Sequence, residues 1–378
     1  MKLKLFYFIA TAAMMLASCS QESFDSPVQN QGTSHSPYYR SLEEGLKDAN
    51  TLFNCMEENT RTEPRKIKSV ETLNQSTRSS SPESEFYIVN YENDEGFVLL
   101  SADKRLEPVF AISEQGSMNL SDTIFNKALA GYIRGIEDLA IDFPGIDQPI
   151  DTIFKPKNPV TIIVNPLLAR AGNGDFLSFF HQGSPFNKYC FTSTGEQAVV
   201  GCAPLAAGTV MAFYEWPEEY DGYTFDWEAM KNDINHDGWP KLFSFIGRPG
   251  NMNSNYGVSG TGSSKYYYCN TFANFGYKNM KLTSFSIDGA NGELSLGKPL
   301  MVRGTDYGVG GHAWVIDSAK IVENTFYVEN PKPKTYYYHC VWGWGGKDNG
   351  YFIFKTSLSV DKYIFKDLEF ISNLYRNI

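Results

Sequence analysis

A cysteine at the start of a predicted helix is the first residue that could act as a nucleophile. Residues 195–214 read GEQAVVGCAPLAAGTVMAFY, and the small residues predict a narrow, closely packed helix that begins at or just after Cys202. Pro204 fits the first turn, where a missing N–H costs no hydrogen bond. The helix dipole favours a thiolate at this end, and a free backbone N–H there can bind an oxyanion. A buried structural cysteine would fit the same pattern.

A histidine farther along the chain has surroundings that suit an acid–base partner. His312 directly follows Gly310 and Gly311 and starts the apolar run HAWVI, which is typical of a buried strand. Glycine lets another backbone or a substrate approach closely, and a strand would hold the imidazole rigidly. Taken alone, a histidine in such a segment is more often a hydrogen-bonded core residue than a catalyst.

A third segment, WGWGG at residues 342–346, could cover that imidazole. Together and in this order, the three segments resemble the streptopain family of papain-like cysteine proteases. The family's cysteine segment corresponds to residues 201–217 and its histidine segment to residues 310–317. The likeness covers about residues 166–354 and implies hydrolysis of peptide bonds, with Cys202 as nucleophile and His312 as acid–base partner.

The resemblance also implies the rest of the site. The family's oxyanion glutamine lies in a stretch that matches residues 181–187, so Gln182 and the backbone N–H of Cys202 are the expected oxyanion donors. Residues 256–264 resemble a loop that lines the family's cleft. The remaining expected site residues shield or support the dyad (Trp342, Trp344) or line the substrate cleft (Gly310, Gly311, Ser263, Ser264). No metal or organic cofactor is expected.

The chain departs from the family pattern beside the histidine. Papain-like enzymes orient this histidine with an asparagine two residues or fewer before the covering tryptophan, and here Val341 precedes Trp342. Either a backbone carbonyl or another polar group must therefore orient His312. The stretch between His312 and Trp342 is also longer than in streptopain, with a Tyr- and Lys-rich insertion over residues 330–338.

The first residues predict export. Lys2 and Lys4 precede an apolar run at residues 5–16 that is too short to span a bilayer permanently. Residues 16–19, LASC, resemble the bacterial lipoprotein signal, in which the cysteine thiol receives a diacylglycerol. We therefore expect a signal peptide at residues 1–18, lipidation of Cys19, and a flexible tether over residues 19–37. The chain would be anchored to a bacterial membrane, facing the periplasm or the cell surface; an ordinary secretory signal is the alternative.

Composition narrows the partners. The chain has 43 Asp and Glu against 33 Lys and Arg and shows no basic stripe, which excludes nucleic acid as a partner. The six cysteines, at positions 19, 55, 190, 202, 269 and 340, have neither disulfide-framework nor zinc-site spacing. If Cys19 is lipidated, an odd number remains, so at least one thiol is free.

The expected fold class is α+β: a papain-like catalytic domain, with the nucleophile's helix packed on an antiparallel sheet, preceded by a small α+β pro-domain. Periodicity predicts a helix over residues 39–56 and another that starts at Asp122. Between them, three strands are predicted at residues 85–91, 96–102 and 107–113, and a turn at residues 93–96 would join the first two. We assign residues 38–155 to the pro-domain, which more weakly resembles the family's inhibitory one. Residues 156–170 form a linker, with cleavage expected between Lys157 and Ala171, and residues 171–378 form the protease.

These observations predict a zymogen of a cysteine endopeptidase that acts on proteins or peptides, with the pro-domain as its intramolecular inhibitor and a lipid-anchored membrane location. The mature domain would be released by cleavage in the linker. Two other functions fit the same residues: a catalytically inactive relative serving as a surface binding or inhibitory lipoprotein, and a Cys–His amidase or acyl transferase. The absence of the orienting asparagine favours the first of these, whereas intact Cys202, His312 and Gln182 argue against it.

Overall fold

Two groups of elements follow one another along the chain. The computed structural model describes residues 38–56, 63–74, 85–119, 121, 127–141, 161–163, 179–305, 310–323, 334–355 and 363–376. The predicted signal peptide and tether, and the predicted helix start at Asp122, lie outside these residues. The N-terminal group contains α1 (Leu42–Met56), β1 (Ile67–Asn74), β2 (Glu85–Tyr91), β3 (Phe97–Ser101), β4 (Val109–Ser113), α2 (Lys127–Ile141) and β5 (Thr161–Ile163).

The C-terminal group begins with the helix that carries Cys202. Its helices are α3 (Cys202–Tyr214), α4 (Trp227–Asn232), α5 (Gly238–Gly247), α6 (Tyr268–Asn274) and α7 (Ile287–Ser295). Its strands are β6 (Glu219–Tyr220), β7 (Tyr223–Thr224), β8 (Tyr277–Lys278), β9 (Lys281–Ser284), β10 (Leu300–Thr305), β11 (Gly311–Glu323), β12 (Lys334–Val341), β13 (Gly350–Ile353), β14 (Lys366–Ser372) and β15 (Tyr375–Arg376).

The predicted elements of the N-terminal group are present, and one further strand was missed within the predicted pro-domain, besides β5 in the predicted linker. The helix begins three residues later than predicted, and the three strands lie within the predicted ranges, with β2 and β3 forming the expected hairpin. The missed strand is β1, inside a segment that reads as polar. Its side chains are mostly exposed, Ile67 and Val70 included, because β1 lies at the edge of the sheet. An exposed edge strand carries little of the apolar alternation by which strands are predicted.

A single antiparallel sheet of 11 strands joins the two groups. Its order is β1-β2-β3-β4-β13-β12-β11-β10-β14-β9, with β5 alongside β11. The two groups meet where Ala111 and Ile112 of β4 pair with Phe352 and Tyr351 of β13. The stretch predicted as an insertion contributes β12, an inner strand in which Tyr337 and Tyr338 are buried.

Helix α3 lies on one face of this sheet, against β11 and α5. Residues 203–212 are all buried, as the small side chains of the sequence predict. A Cβ added to Gly208 would lie 2.5 Å from the Phe243 ring, so the helix approaches α5 too closely for any other residue. The predicted fold class, with the nucleophile's helix on an antiparallel sheet after a small α+β region, is confirmed.

Polar contacts fasten the N-terminal group to the C-terminal one. The Tyr132 hydroxyl of α2 lies within hydrogen-bonding distance of the carbonyl oxygens of Phe110, at 2.8 Å, and Ile353, at 3.0 Å, one from each group. Lys320 of β11 donates to the Met56 carbonyl at the end of α1, over 2.9 Å, where the helix dipole favours a cation. These contacts are buried, so separating the groups would expose unpaired polar atoms.

We expect Tyr132→Phe to lower the free energy of unfolding by about 1–3 kcal/mol, because the buried carbonyl pair of Phe110 and Ile353 loses the one proton that it shares. Urea unfolding measures this best in the Cys202→Ala background, which removes the candidate nucleophile. Tyr266→Phe is the matched control, because that ring is 85% exposed, and it should change stability by less than about 0.5 kcal/mol. Equal effects of the two changes would show that the Tyr132 hydroxyl does not fasten the groups.

Candidate active site

Cys202 is the first residue of α3, and the turn before it accepts only glycine. Gly201 has φ = 95°, and a Cβ there would lie 2.9 Å from Cγ2 of Thr261. Two hydrogen bonds hold the residues just before Gly201 to neighbouring loops. Val200 N–H donates to the Gln182 carbonyl over 2.9 Å, and the Thr261 hydroxyl donates to the Val199 carbonyl over 2.6 Å. The thiol is therefore held at the helix N-terminus by two loops.

His312 is the second residue of β11, and the ring is held from behind by a backbone carbonyl. The residue is 6% exposed, and its Nε2 lies 3.2 Å from the Trp342 carbonyl oxygen. A carbonyl oxygen only accepts, so Nε2 carries the proton and Nδ1 is left for the thiol. Of the two orienting groups that the sequence left open, the structure contains the backbone carbonyl. Because this carbonyl orients His312, a polar side chain at position 341 is not required for that role.

The side chains of Cys202 and His312 meet. The His312 ring and the backbone N–H groups of Ala313 and Ala203 lie near enough to the Cys202 sulfur to influence its charge. Burial by itself would raise the pKa of the thiol, but the charge of His312 and these neighbouring groups outweigh it and hold the pKa below its usual value. This arrangement favours a thiolate–imidazolium pair.

The tryptophan rings form a layer behind the histidine. The ring that stacks parallel to His312 belongs to Trp314, at 6.3 Å between centroids, and Trp342 packs on Trp314 at 5.2 Å. Trp342 is 1% exposed and its indole N–H donates to the Asp348 carbonyl. Trp342 therefore reaches the histidine with its carbonyl oxygen, and with its ring only through Trp314. Shielding of the dyad by Trp342 and Trp344 remains a prediction.

The glycine-rich loop at residues 342–346 also holds the segment of Gln182. Gly345 N–H donates to the Phe180 carbonyl over 3.0 Å, and Trp344 forms a β-bridge with His181. A Cβ on Gly343 would lie 2.8 Å from Leu205 of α3, so the loop also lies against the helix of Cys202. One short loop thus fixes the histidine, the nucleophile's helix and the segment of the expected oxyanion donor relative to one another.

Gln182 itself is 7% exposed, and its amide donates no hydrogen bond to any residue in the described part of the chain. The serines predicted to line the cleft lie in the loop that packs on Gly201. The hydroxyls of Ser263 and Ser254 are 2.8 Å apart, and Ser264 precedes a short 3-10 helix, Lys265–Tyr267. Gly310 and Gly311 are exposed at the start of β11, next to His312.

Tyr268 is a neighbour of the thiol that sequence reasoning missed. The residue is 5% exposed, and its pKa is raised by burial first and then by the negative charge of Cys202. The hydroxyl is therefore a neutral group near the sulfur. The sequence offers no signal, because Tyr268 is the last of three consecutive tyrosines and only the turn of α6 distinguishes it.

The remaining cysteines contribute no second dyad. All five described cysteines are free thiols, and burial raises the pKa of Cys55, Cys190, Cys269 and Cys340. Cys202 alone among them has a lowered pKa. None of the described helices is long and apolar enough to cross a bilayer.

Known proteins resemble this chain in both groups. Residues 180–352 match the model of the Peptidase C10 family, and residues 40–132 match that of the Spi protease inhibitor. The chain is 28% identical over 308 residues to the thiol protease/hemagglutinin PrtT of Porphyromonas gingivalis, covering 71% of this chain but only 34% of that protein. It is 24% identical over 318 residues to streptopain of Streptococcus pyogenes, covering 71% and 73% of the two chains.

The fold has a counterpart among solved structures. A fragment of prointerpain A from Prevotella intermedia superposes with a TM-score of 0.53 at 17% identity, covering 82% of this chain and 100% of that one. This likeness concerns the fold, and it spans both the N-terminal and the C-terminal group. By these matches the chain is a cysteine protease zymogen, in which a protease region of the Peptidase C10 family, residues 180–352, follows a region that matches an inhibitor pro-domain, residues 40–132.

Proposed function

We propose that this zymogen matures into an endopeptidase that hydrolyses peptide bonds through Cys202 and His312. The observation that supports this most is the closeness of the two side chains at the N-terminus of α3, with the histidine ring held from behind by the Trp342 carbonyl. A core histidine would not need to face a thiol whose pKa is lowered. A structural cysteine would have its pKa raised by burial, as the other described thiols do.

The arrangement suits acyl transfer. The Cys202 thiolate attacks the substrate carbonyl carbon, forming a C–S bond and an oxyanion that accepts hydrogen bonds from the Cys202 N–H and the Gln182 amide. His312 then gives its proton to the leaving amine as the C–N bond breaks, leaving a thioester. Water attacks the thioester with His312 taking its proton, which releases the acid and restores the thiolate. Every step uses groups of the protein itself.

The pro-domain would restrain this activity until it is cut away. The continuous sheet and the contacts of Tyr132 and Lys320 hold it on the protease region. Within the expected cleavage window, residues 161–163 form β5 and pair with residues 319–321 of β11. A protease binds an extended, unpaired segment, so we expect cleavage on either side of β5. N-terminal sequencing of the active form tests this; a start near Cys19 would contradict it.

We also propose that the zymogen is exported and anchored by a lipid on Cys19, with a polar tether leading to the pro-domain. Lys2, Lys4, the apolar run at residues 5–16 and the LASC sequence support this. Cys19→Ser should abolish incorporation of a labelled fatty acid and move the protein from the detergent phase to the aqueous phase. Cys55→Ser is the control and should leave both unchanged. Labelling that persists in Cys19→Ser would contradict lipidation at that residue.

The proposed activity is tested by labelling with an epoxide inhibitor of cysteine proteases and by casein cleavage, both in processed protein. Wild type should be labelled at Cys202 and should cleave casein, and Cys202→Ala should do neither. Cys269→Ala is the matched control, because that thiol is half-buried but burial raises its pKa, and it should keep both properties. Labelling without proteolysis would indicate an amidase or acyl transferase, and neither result in wild type would indicate an inactive relative.

A further inference from the structure

A group of charged side chains lies beside the candidate dyad, on the strands next to His312. Arg303 of β10 pairs in register with Ala313, the residue after His312. Its Nη2 is 3.5 Å from the position that a Cβ on Gly311 would occupy. The guanidinium therefore lies against the exposed backbone of Gly311, one residue before the histidine.

Two cations share one carboxylate in this group. Glu369 of β14 accepts hydrogen bonds from Arg303 and from Lys265, whose Nζ lies 2.8 and 3.0 Å from its two carboxylate oxygens. The side chains of Arg303 and Glu369 are only 12% and 17% exposed, so their charges are weakly screened. Asp367 is the other acid nearby, but it is exposed, and its carboxylate accepts from the Thr305 hydroxyl. Arg303, Lys265 and Glu369 together carry one more positive than negative charge, although the Lys265 side chain is 32% exposed.

Part of the Arg303 guanidinium is available to a ligand. Nη1 makes all of its hydrogen bonds, to Glu369 and to the Asp367 carbonyl. Neither Nη2 nor Nε donates to any residue that the structure describes, and Nη2 is the nitrogen beside Gly311. A guanidinium edge with free N–H groups is the donor arrangement that matches a carboxylate.

Tyr268 interacts electrostatically with both the thiol and the charged group. After burial, the negative charge of Cys202 raises the pKa of its hydroxyl, and smaller, mutually opposing effects come from Arg303 and Glu369. Lys265 lies three residues earlier, in the 3-10 helix that leads into α6. The thiol, Tyr268 and the charged group are therefore close enough to influence one another's charge.

We infer that Arg303 and Lys265 form a specificity site for an acidic side chain of the peptide substrate, at a position close to the scissile bond. This inference rests on the proposed function. A Glu or Asp side chain extending past Gly311 would accept hydrogen bonds from Nη2 of Arg303, and Lys265 would add a second positive charge. Glu369 holds the two cations in place. Its own negative charge also weakens their attraction for the acidic side chain of the substrate.

The test uses processed enzyme and fluorogenic peptides that differ only by Glu, Gln or Leu at each position flanking the cut. At one position the Glu peptide should have a kcat/KM about 10-fold above that of the Gln peptide. Arg303→Gln should bring this Glu-to-Gln ratio to about one, and Glu369→Gln should increase it. Arg248→Gln is the control, because its ion pair with Asp221 lies on the exposed surface, and it should leave the ratio unchanged.

The two variants have opposite expected signs, so a general loss of folding cannot imitate the result. If Arg303→Gln fails to fold, Lys265→Met replaces it and should also lower the ratio. Equal cleavage of Glu and Gln peptides by wild type at every position, or an equal loss for all peptides in Arg303→Gln, would overturn the inference while leaving the protease intact. Absence of cleavage of any peptide by labelled wild type would instead contradict the proposed function.

Discussion

Replacing His312 by alanine in the processed enzyme is expected to lower kcat/KM for peptide hydrolysis by about 10³- to 10⁴-fold. The change removes two contributions at once. No group remains to protonate the leaving amine, and the thiolate loses the positive charge that opposes the effect of burial on Cys202. The measurement is steady-state hydrolysis of a fluorogenic peptide, with the active-site concentration fixed by inhibitor titration of wild type.

The same variant should change how the thiol reacts with pH. In wild type the pKa of Cys202 is below its usual value, so iodoacetamide should alkylate it at lower pH than an ordinary thiol. In His312→Ala, burial raises the pKa without the imidazolium to oppose it, so the alkylation curve moves to higher pH. Superimposable curves for the two proteins would contradict the thiolate–imidazolium pair, whatever happens to hydrolysis.

His339→Ala provides the matched control for this histidine. His339 lies on β12 and its Nδ1 is 2.7 Å from a carboxylate oxygen of Asp317, so it is a polar, partly buried histidine of the same sheet. Its replacement is expected to lower stability and to leave the alkylation curve of Cys202 in place. A shift of that curve in His339→Ala would mean that the reactivity of the thiol depends on the sheet as a whole.

The sequence predicts those features of the site that depend on local chemistry. The start of α3 at Cys202 follows from a glycine turn and a run of small residues, and the start of β11 beside His312 follows from glycines and an apolar run. The meeting of the two side chains was predicted only through the family resemblance, because 110 positions separate them and no local pattern reports on such a contact.

Features that depend on pairing across the sheet were not predictable in this way. The Trp342 carbonyl was one of two open alternatives, since a backbone oxygen has no sequence signature. Arg303 lies beside His312 only because β10 and β11 pair in a particular register, and Glu369 joins it only through β14. The continuation of the sheet from β4 to β13 likewise depends on strands far apart in the chain.

The second large effect is expected at Gln182. Replacing it by alanine should lower kcat by about 10²- to 10³-fold with little change in KM, because an oxyanion donor acts in the transition state rather than on bound substrate. The structure supports this role, since the residue is buried, its backbone carbonyl is tied to Val200 two residues before the nucleophile, and its amide donates to no described residue.

A second glutamine in the same region separates this role from a structural one. The Gln197 amide donates to the carbonyl oxygens of Asn187 and Cys190, so its hydrogen-bonding capacity is used within the protein. Gln197→Ala should therefore lower the melting temperature while kcat stays within about threefold, because no transition-state contact is lost. Gln182→Ala should do the reverse, losing kcat at nearly unchanged stability. If both variants lost stability and activity together, the Gln182 amide would be holding the loop rather than the oxyanion, and the Cys202 N–H would remain as the proposed donor.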